Sequence, residues 1–427
     1  MVKAGDLPLL EAWVDDRGAD VHFVDARGDG LMAFVRHTYM KQELEKRQLD
    51  VNQQNPVTGN TLMHILTQEG NVKLLGHLLR DPDVKVTGNT DGQSLLHIAS
   101  MSGHVHMAEF LREKGFSLRD TDGLGCTPLH RAVQSGHHGM VQYLIRARSD
   151  INARDNTDNT PLVYAIRSDD SLAVLDELLQ MRADVTAEAE NGLSSLHIAA
   201  DCGSVYALKE LLKPEWGLDI NRRAGFFQRS VLHQAVLRRH LSIVDELLQW
   251  HQDHDPWLHQ LDTDAGDSRG DTAATLAAQS GAKNILDRLC AYSADHVAPF
   301  LAAVKFGQKP CVELLIQKYG LKPSLCFESA GNNALHLCAR YGHGELADYI
   351  LENWAGDVLE ALYHDNHENQ TPCDVAGIHS PNIQRHFEAH CVRHKIDLAP
   401  RAPRMCPGMR LPSAYACCFS RPPSLMD

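Results

Sequence analysis

Histidine is the side chain best able to do chemistry in this sequence, and there are 25 of them in 427 residues. His386, His390 and His394 recur at i, i+4 and i+8, so a helix would carry them on one face with Cys391 alongside. Imidazoles at that spacing can hold Zn or Ni; the plainer reading is the solvated face of a last helix, and no metal or other cofactor is expected. The stretch "DTDAGDSRGD" (262–271) has some of the spacing of a calcium loop, but Gly266 and Ala273 stand where that loop needs oxygen ligands. No nucleophile elbow, phosphate-cradling glycine loop or HExxH occurs, so catalysis is not expected.

The remaining histidines point to construction rather than reaction. "NTLMHIL", "QSLLHIA", "CTPLHRA", "NTPLVYA" and "LSSLHIA" place His64, His97, His130, Val163 and His197 at intervals of 33, 33, 33 and 34 residues. The register continues through His233, Thr275, Leu301, His336 and Asp374. Six residues past each of these positions a glycine follows in seven of ten cases: Gly70, Gly103, Gly136, Gly203, Gly281, Gly307 and Gly342. A hydroxyl residue before each core, often followed by Pro, starts a first helix, as at Thr127-Pro128. Small residues (Ala99, Ala132, Ala165, Ala199, Ala277) let a neighbouring helix approach, and the glycine ends the helix where φ must be positive. A Leu-rich second helix follows, and a polar segment leads to the next unit. One such helix pair cannot bury its apolar face alone; stacking supplies the core.

These residues resemble the ankyrin repeat family. "DGLGCTPLHRAVQSGHHGMVQYLIRARSDINARD" (122–155) is similar to that family's consensus along its whole length. The resemblance implies an all-α ankyrin-repeat solenoid of about ten helix-turn-helix units with β-turn fingers. The array is expected over 54–394, irregular at about 250–300, after degenerate N-terminal units in 1–53 ("GADV", "LDVN") and before a disordered Pro/Arg/Cys-containing tail, 395–427. The 42 residues from His233 to Thr275 imply an insertion, and the 26 from Thr275 to Leu301 imply a truncated finger and a break in the concave surface near 290–300.

The family binds partner proteins on the concave side, at finger tips and the exposed face of the first helices. Carried over residue by residue, the candidate contacts include Leu124, Gln134, Ser135, Arg167 and Asp201, then Phe226, Phe227, Arg229, Leu237 and Arg238. The last five belong to "NRRAGFFQRSVLHQAV" (221–236) and the two residues after it, where aromatic and arginine side chains of the kind that dominate hot spots are concentrated. One expectation is that both rings face a partner; the other is that one folds back over the preceding finger. Gln228 and Arg239 replace the glycines of the finger and of the helix end, which leaves the finger conformation there open.

Charge and composition set the setting. A formal charge of −14 argues against a nucleic-acid partner, and 43% hydrophobic residues suit a folded chain. Eleven scattered cysteines read as reduced thiols, no secretory leader is visible and no apolar run is long enough to span a bilayer. The expectation is a monomeric, non-catalytic cytoplasmic adaptor that binds another protein, with nuclear location or delivery into a host cell left open. The alternative is a membrane-tethered or host-directed regulator addressed by the tail, in which acylation of Cys417 and Cys418 would give a membrane anchor.

Overall fold

The computed structural model describes residues 52–394, apart from 81, 83, 169–171, 254–259, 355 and 356. Regular structure within them is helical, and the turns between helices pair only through isolated bridges. The chain divides into two compact units, parting between Ala302 and Ala303.

In the first unit helices come in pairs: α1 (Leu62–Gln68) with α2 (Val72–Leu78), α3 (Leu95–Met101) with α4 (Val105–Glu113), and α5 (Pro128–Gln134) with α6 (His138–Arg146). Next are α7 (Pro161–Arg167) with α8 (Leu172–Gln180), α9 (Ser195–Cys202) with α10 (Val205–Leu211), α11 (Val231–Leu237) with α12 (Leu241–Asp253), and α13 (Ala273–Gln279) with α14 (Lys283–Cys290). Helix α15 (Val297–Lys305) contains the division. The second unit continues with α16 (Lys309–Gln317), α17 (Ala334–Tyr341), α18 (Gly344–Glu352), a short α19 (Val358–Leu362), α20 (Pro372–His379) and α21 (Pro381–Arg393).

The first helices of successive pairs pack on one another, α3 on α5, α7 on α9 and α11 on α13. Ala99, Ala132, Ala199 and Ala277 are fully buried in these contacts, because only a methyl group lets two backbones come so close. Leucines of the second helices, such as Leu111, Leu144 and Leu211, close the other side of the core. From α14 to α15 the chain has only residues 291–296, too few for the turn found between other units; Asp295 instead accepts from the amides of Val297 and Ala298 (2.8 and 3.4 Å).

The recurring histidine is the joint of the stack. In α5 the Thr127 amide donates to Nδ1 of His130 (3.1 Å), so that nitrogen is the acceptor and the proton sits on Nε2. Nε2 then donates to the carbonyl of Asn159 in the next unit (3.1 Å). His97 reaches Cys126 O, His197 reaches Arg229 O, His233 reaches Asp271 O and His336 reaches Gln370 O in the same way, at 2.9, 3.0, 3.0 and 2.9 Å. Burial pushes these imidazoles below their ordinary pKa, which keeps them neutral. The Nδ1 bond stays at the helix start of its own unit, and the Nε2 bond joins that unit to the next. Where Val163 replaces histidine, the side chain cannot make this bond; the adjacent Tyr164 hydroxyl instead donates to Asp155 of its own finger (2.7 Å) and lies 3.2 Å from Cys126 Sγ of the preceding unit.

A second row of histidines, not singled out from the sequence, occupies the position after the helix-ending residue, which is a glycine except at Arg239. His104, His137, His240 and His343 each donate from Nε2 to a carbonyl of the preceding unit, at 2.9, 2.7, 3.2 and 3.0 Å. Gly103 is required twice over. Its φ is +74°, and a Cβ there would stand 2.8 Å from the His137 ring.

Candidate partner-binding face

Each finger is a tight turn whose first amide donates to a carbonyl four or five residues on. Asp122 N donates to Cys126 O (3.0 Å), Asp155 N to Asn159 O (3.0 Å) and Asp267 N to Asp271 O (2.9 Å). The leading carboxylate also accepts from the turn amides: Asp122 Oδ1 takes those of Leu124 and Cys126, both at 3.0 Å. Arg131 pairs with the same carboxylate (2.5 Å), whose side chain is wholly buried. Neighbouring fingers bond directly, Gly123 N to Asp91 O (2.7 Å) and Asn156 N to Leu124 O (3.0 Å).

The finger of 224–229 keeps this plan with altered parts. Ala224 has no carboxylate to offer; instead Ala224 and Arg229 exchange both backbone bonds, each 2.9 Å. Gln228 takes the left-handed conformation a glycine would have held (φ +49°), and Arg239 does so at the helix end (φ +61°). Neighbours on both sides fix the backbone. Gly225 N donates to Asn191 O (3.1 Å), and Phe227 O accepts from Ser268 N (2.8 Å).

The two phenylalanines part company on this turn. Phe226 is 90% exposed. Phe227 is half-buried, with the guanidinium of Arg229 at 4.5 Å from its ring centre and that of Arg269 at 4.4 Å. The rings meet edge to face with centroids 5.2 Å apart, so Phe227 is the pedestal on which Phe226 stands. One ring does fold back, but toward the following finger rather than the preceding one.

The arginines are largely occupied. Arg222 pairs with Glu188, Arg229 with Asp267 (3.4 Å) and Arg238 with Asp201 (2.5 Å), and Arg239 donates to the Ser280 carbonyl. Asp201 is therefore tied to Arg238 and to Gln234, from the next unit. Elsewhere on the predicted face Leu124 is 61% exposed and Leu237 37%. Gln134, Ser135 and Arg167 are exposed, with Gln134 accepting from Arg131 (2.7 Å). All of these sit at finger tips or at the ends of first helices, as the repeat register required.

The other chemical candidates disperse. His386 bonds to Asp348 (2.8 Å), while His390 is buried with its ring 4.3 Å from that of His394. Asp267 spends Oδ1 on the amides of Arg269 and Asp271 (2.8 and 3.2 Å), and Asp264 accepts from Ser293 (2.6 Å). Burial raises the pKa of the Cys126, Cys338 and Cys391 thiols, the opposite of what a nucleophile needs. Cys417, Cys418 and the rest of the tail lie outside the described residues, as do nearly all of residues 1–53.

Stacked helix pairs with hydrogen-bonded turn fingers and an open row of finger tips define a class of modular repeat proteins. The family model for ankyrin repeats in three copies matches residues 1–122, 63–155, 116–189, 149–224, 196–299 and 293–361, and the chain belongs to the ankyrin repeat family. Its fold class is the all-α repeat solenoid. Ankyrin repeats in general mediate protein–protein interaction and are typically non-catalytic. Among solved structures, the ankyrin repeat domain of human ASB11 aligns at 20% identity with a TM-score of 0.46, over 55% of this chain and 99% of that one. No curated protein matches. Among the described residues no helix is long and apolar enough to cross a membrane.

Proposed function

We propose that this chain is a non-catalytic adaptor that captures another protein on its finger-and-first-helix face, with Phe226 as the principal contact. The observation that carries the reading is the Phe226 ring, almost wholly exposed on a finger whose backbone is bonded to both neighbouring fingers. A large apolar side chain displayed on a preorganised turn loses little conformational freedom on binding, which suits a hot spot. Leu124, Leu237, Gln134, Ser135 and Arg167 extend the contact, while Arg229, Arg238 and Asp201 hold it in shape. The partner then presents an apolar pocket to the Phe226 ring, and it engages a single copy of the adaptor. The eight described cysteines are thiols, six of them buried, which fits work in the reducing cytoplasm.

Quantitative affinity purification from the native cell tests this. Wild type and Phe226→Ala should differ by the loss of one or a few proteins, with unchanged thermal unfolding. Identical sets of captured proteins would sink the proposal.

A further inference from the structure

A second aromatic and cationic surface lies in the second unit and uses none of the side chains assigned to the partner face above. Counting four and five residues past the repeat positions Leu301, His336 and Asp374 gives Lys305 and Phe306, Arg340 and Tyr341, and Ile378 and His379. The corresponding places in the first unit hold Gln68 and Glu69, Met101 and Ser102, Gln134 and Ser135, Arg167 and Ser168, Asp201 and Cys202, Leu237 and Arg238, and Gln279 and Ser280, none of them aromatic. In the second unit Phe306 is 49% exposed, Tyr341 43% and Ile378 55%.

The surface is built, not incidental. The Lys305 ammonium stands between two rings, 6.0 Å from the centre of Phe306 and 5.8 Å from that of Tyr341. Its backbone carbonyl accepts from His343 Nε2 (3.0 Å), and the His343 ring lies against Gly307. Helix α17, which carries Arg340 and Tyr341, packs directly on α20, which carries Ile378. Among the described residues no carboxylate pairs with Lys305 or Arg340, in contrast to the arginines around Phe226. The six positions hold no acidic residue, in a chain whose formal charge is −14.

We propose that Lys305, Phe306, Arg340, Tyr341 and Ile378 form a docking strip for an acidic peptide segment bearing aromatic or aliphatic side chains. Carboxylates of the segment pair with Lys305 and Arg340, and its apolar side chains cover the two rings and Ile378. Removing apolar area from water and matching charge at its rim is the pattern of specific interfaces. Aromatic rings beside cations also suit single-stranded nucleic acid, but two cations are few for tracking a phosphate backbone, and the chain as a whole repels one.

Fluorescence anisotropy on the full-length chain tests the strip, using a short fluorescein-labelled peptide in which Phe and Leu alternate with Glu. Saturable binding that weakens with added salt is expected. Lys305→Glu with Arg340→Glu, and separately Phe306→Ala with Tyr341→Ala, should each weaken it roughly tenfold or more, about 1.4 kcal/mol. Lys305→Arg and Tyr341→Phe should retain it, and circular dichroism should show each variant folded. Phe226→Ala should leave it unchanged, which separates this site from the first. The proposal fails if the peptide does not bind, if the charge reversal is silent, if Phe226→Ala abolishes binding, or if poly(U) binds at the strip in place of the peptide.

Discussion

The unit built on His130 and the unit built on His233 perform the same structural task with different residues. In the first, Asp122 organises the finger and is itself held by a buried arginine, while Gly125 and Gly136 occupy the two left-handed positions. In the second, Ala224, Gln228 and Arg239 stand at the equivalent points, and the finger keeps its paired backbone bonds without a carboxylate inside it. Asn191, Ser268 and the His197 imidazole hold its backbone from either side, as Asp91, Asn156 and His97 hold that of the first. A repeat stack tolerates a poor local sequence where the hydrogen bonds between adjacent units are kept. With those shared bonds in place, the tip of the second finger carries an exposed phenylalanine.

Breaking the carboxylate-organised finger should have the largest effect. Arg131→Met leaves the Asp122 carboxylate buried without its counter-ion and should cost about 3–5 kcal/mol, read as a loss in chemical denaturation midpoint. Arg229→Met, in a looser and more exposed pair, should cost clearly less. Equal losses would show that the two fingers do not differ as described.

Next in size are the joints between units. Gly103→Ala forces a left-handed alanine and pushes a Cβ into the His137 ring, and should cost about 1–3 kcal/mol by thermal unfolding. Acid probes the buried histidines together. Burial lowers the pKa of His97, His130, His197, His233 and His336 from the ordinary histidine value of about 6.5, so between that value and their folded values the unfolded chain binds more protons. Stability should therefore be flat with respect to these groups above about pH 6.5 and fall as the pH drops below it. A melting temperature that stays constant from pH 7 to pH 5 would contradict the neutral hydrogen-bonded joint.

Smaller effects sharpen the picture of the finger of 224–229. Gln228→Gly relieves a left-handed glutamine and should stabilise by about 0.5–1 kcal/mol. Phe227→Ala removes a ring held by two guanidinium groups and should cost about 1 kcal/mol. Phe226→Ala should change unfolding by less than about 0.5 kcal/mol.

Much of this was legible in the residues. The 33-residue interval, the histidine after the hydroxyl cap and the glycine six residues on set the register, the helix pairs and the exposed positions. Charge pairing across units was not legible. Arg222 meets Glu188 and Arg229 meets Asp267 over 34 and 38 residues of sequence, and a cluster of arginines read along the chain looks like a basic patch until its facing carboxylates are in place. The roles of Phe226 and Phe227 were equally closed to sequence, since adjacent turn residues diverge only once φ and ψ are set. The Lys305–Phe306–Tyr341 cluster was missed because its members are dispersed along the chain and join only through the stacking of successive helices.

Site-specific photocrosslinking puts the central claim to the most direct test. A photoreactive phenylalanine analogue at Phe226 should crosslink, in the native cell, to a discrete partner protein that the same analogue at Glu113, exposed on a second helix, does not reach. The same crosslinks from both positions, or none from position 226, would contradict the assignment of that finger as the contact.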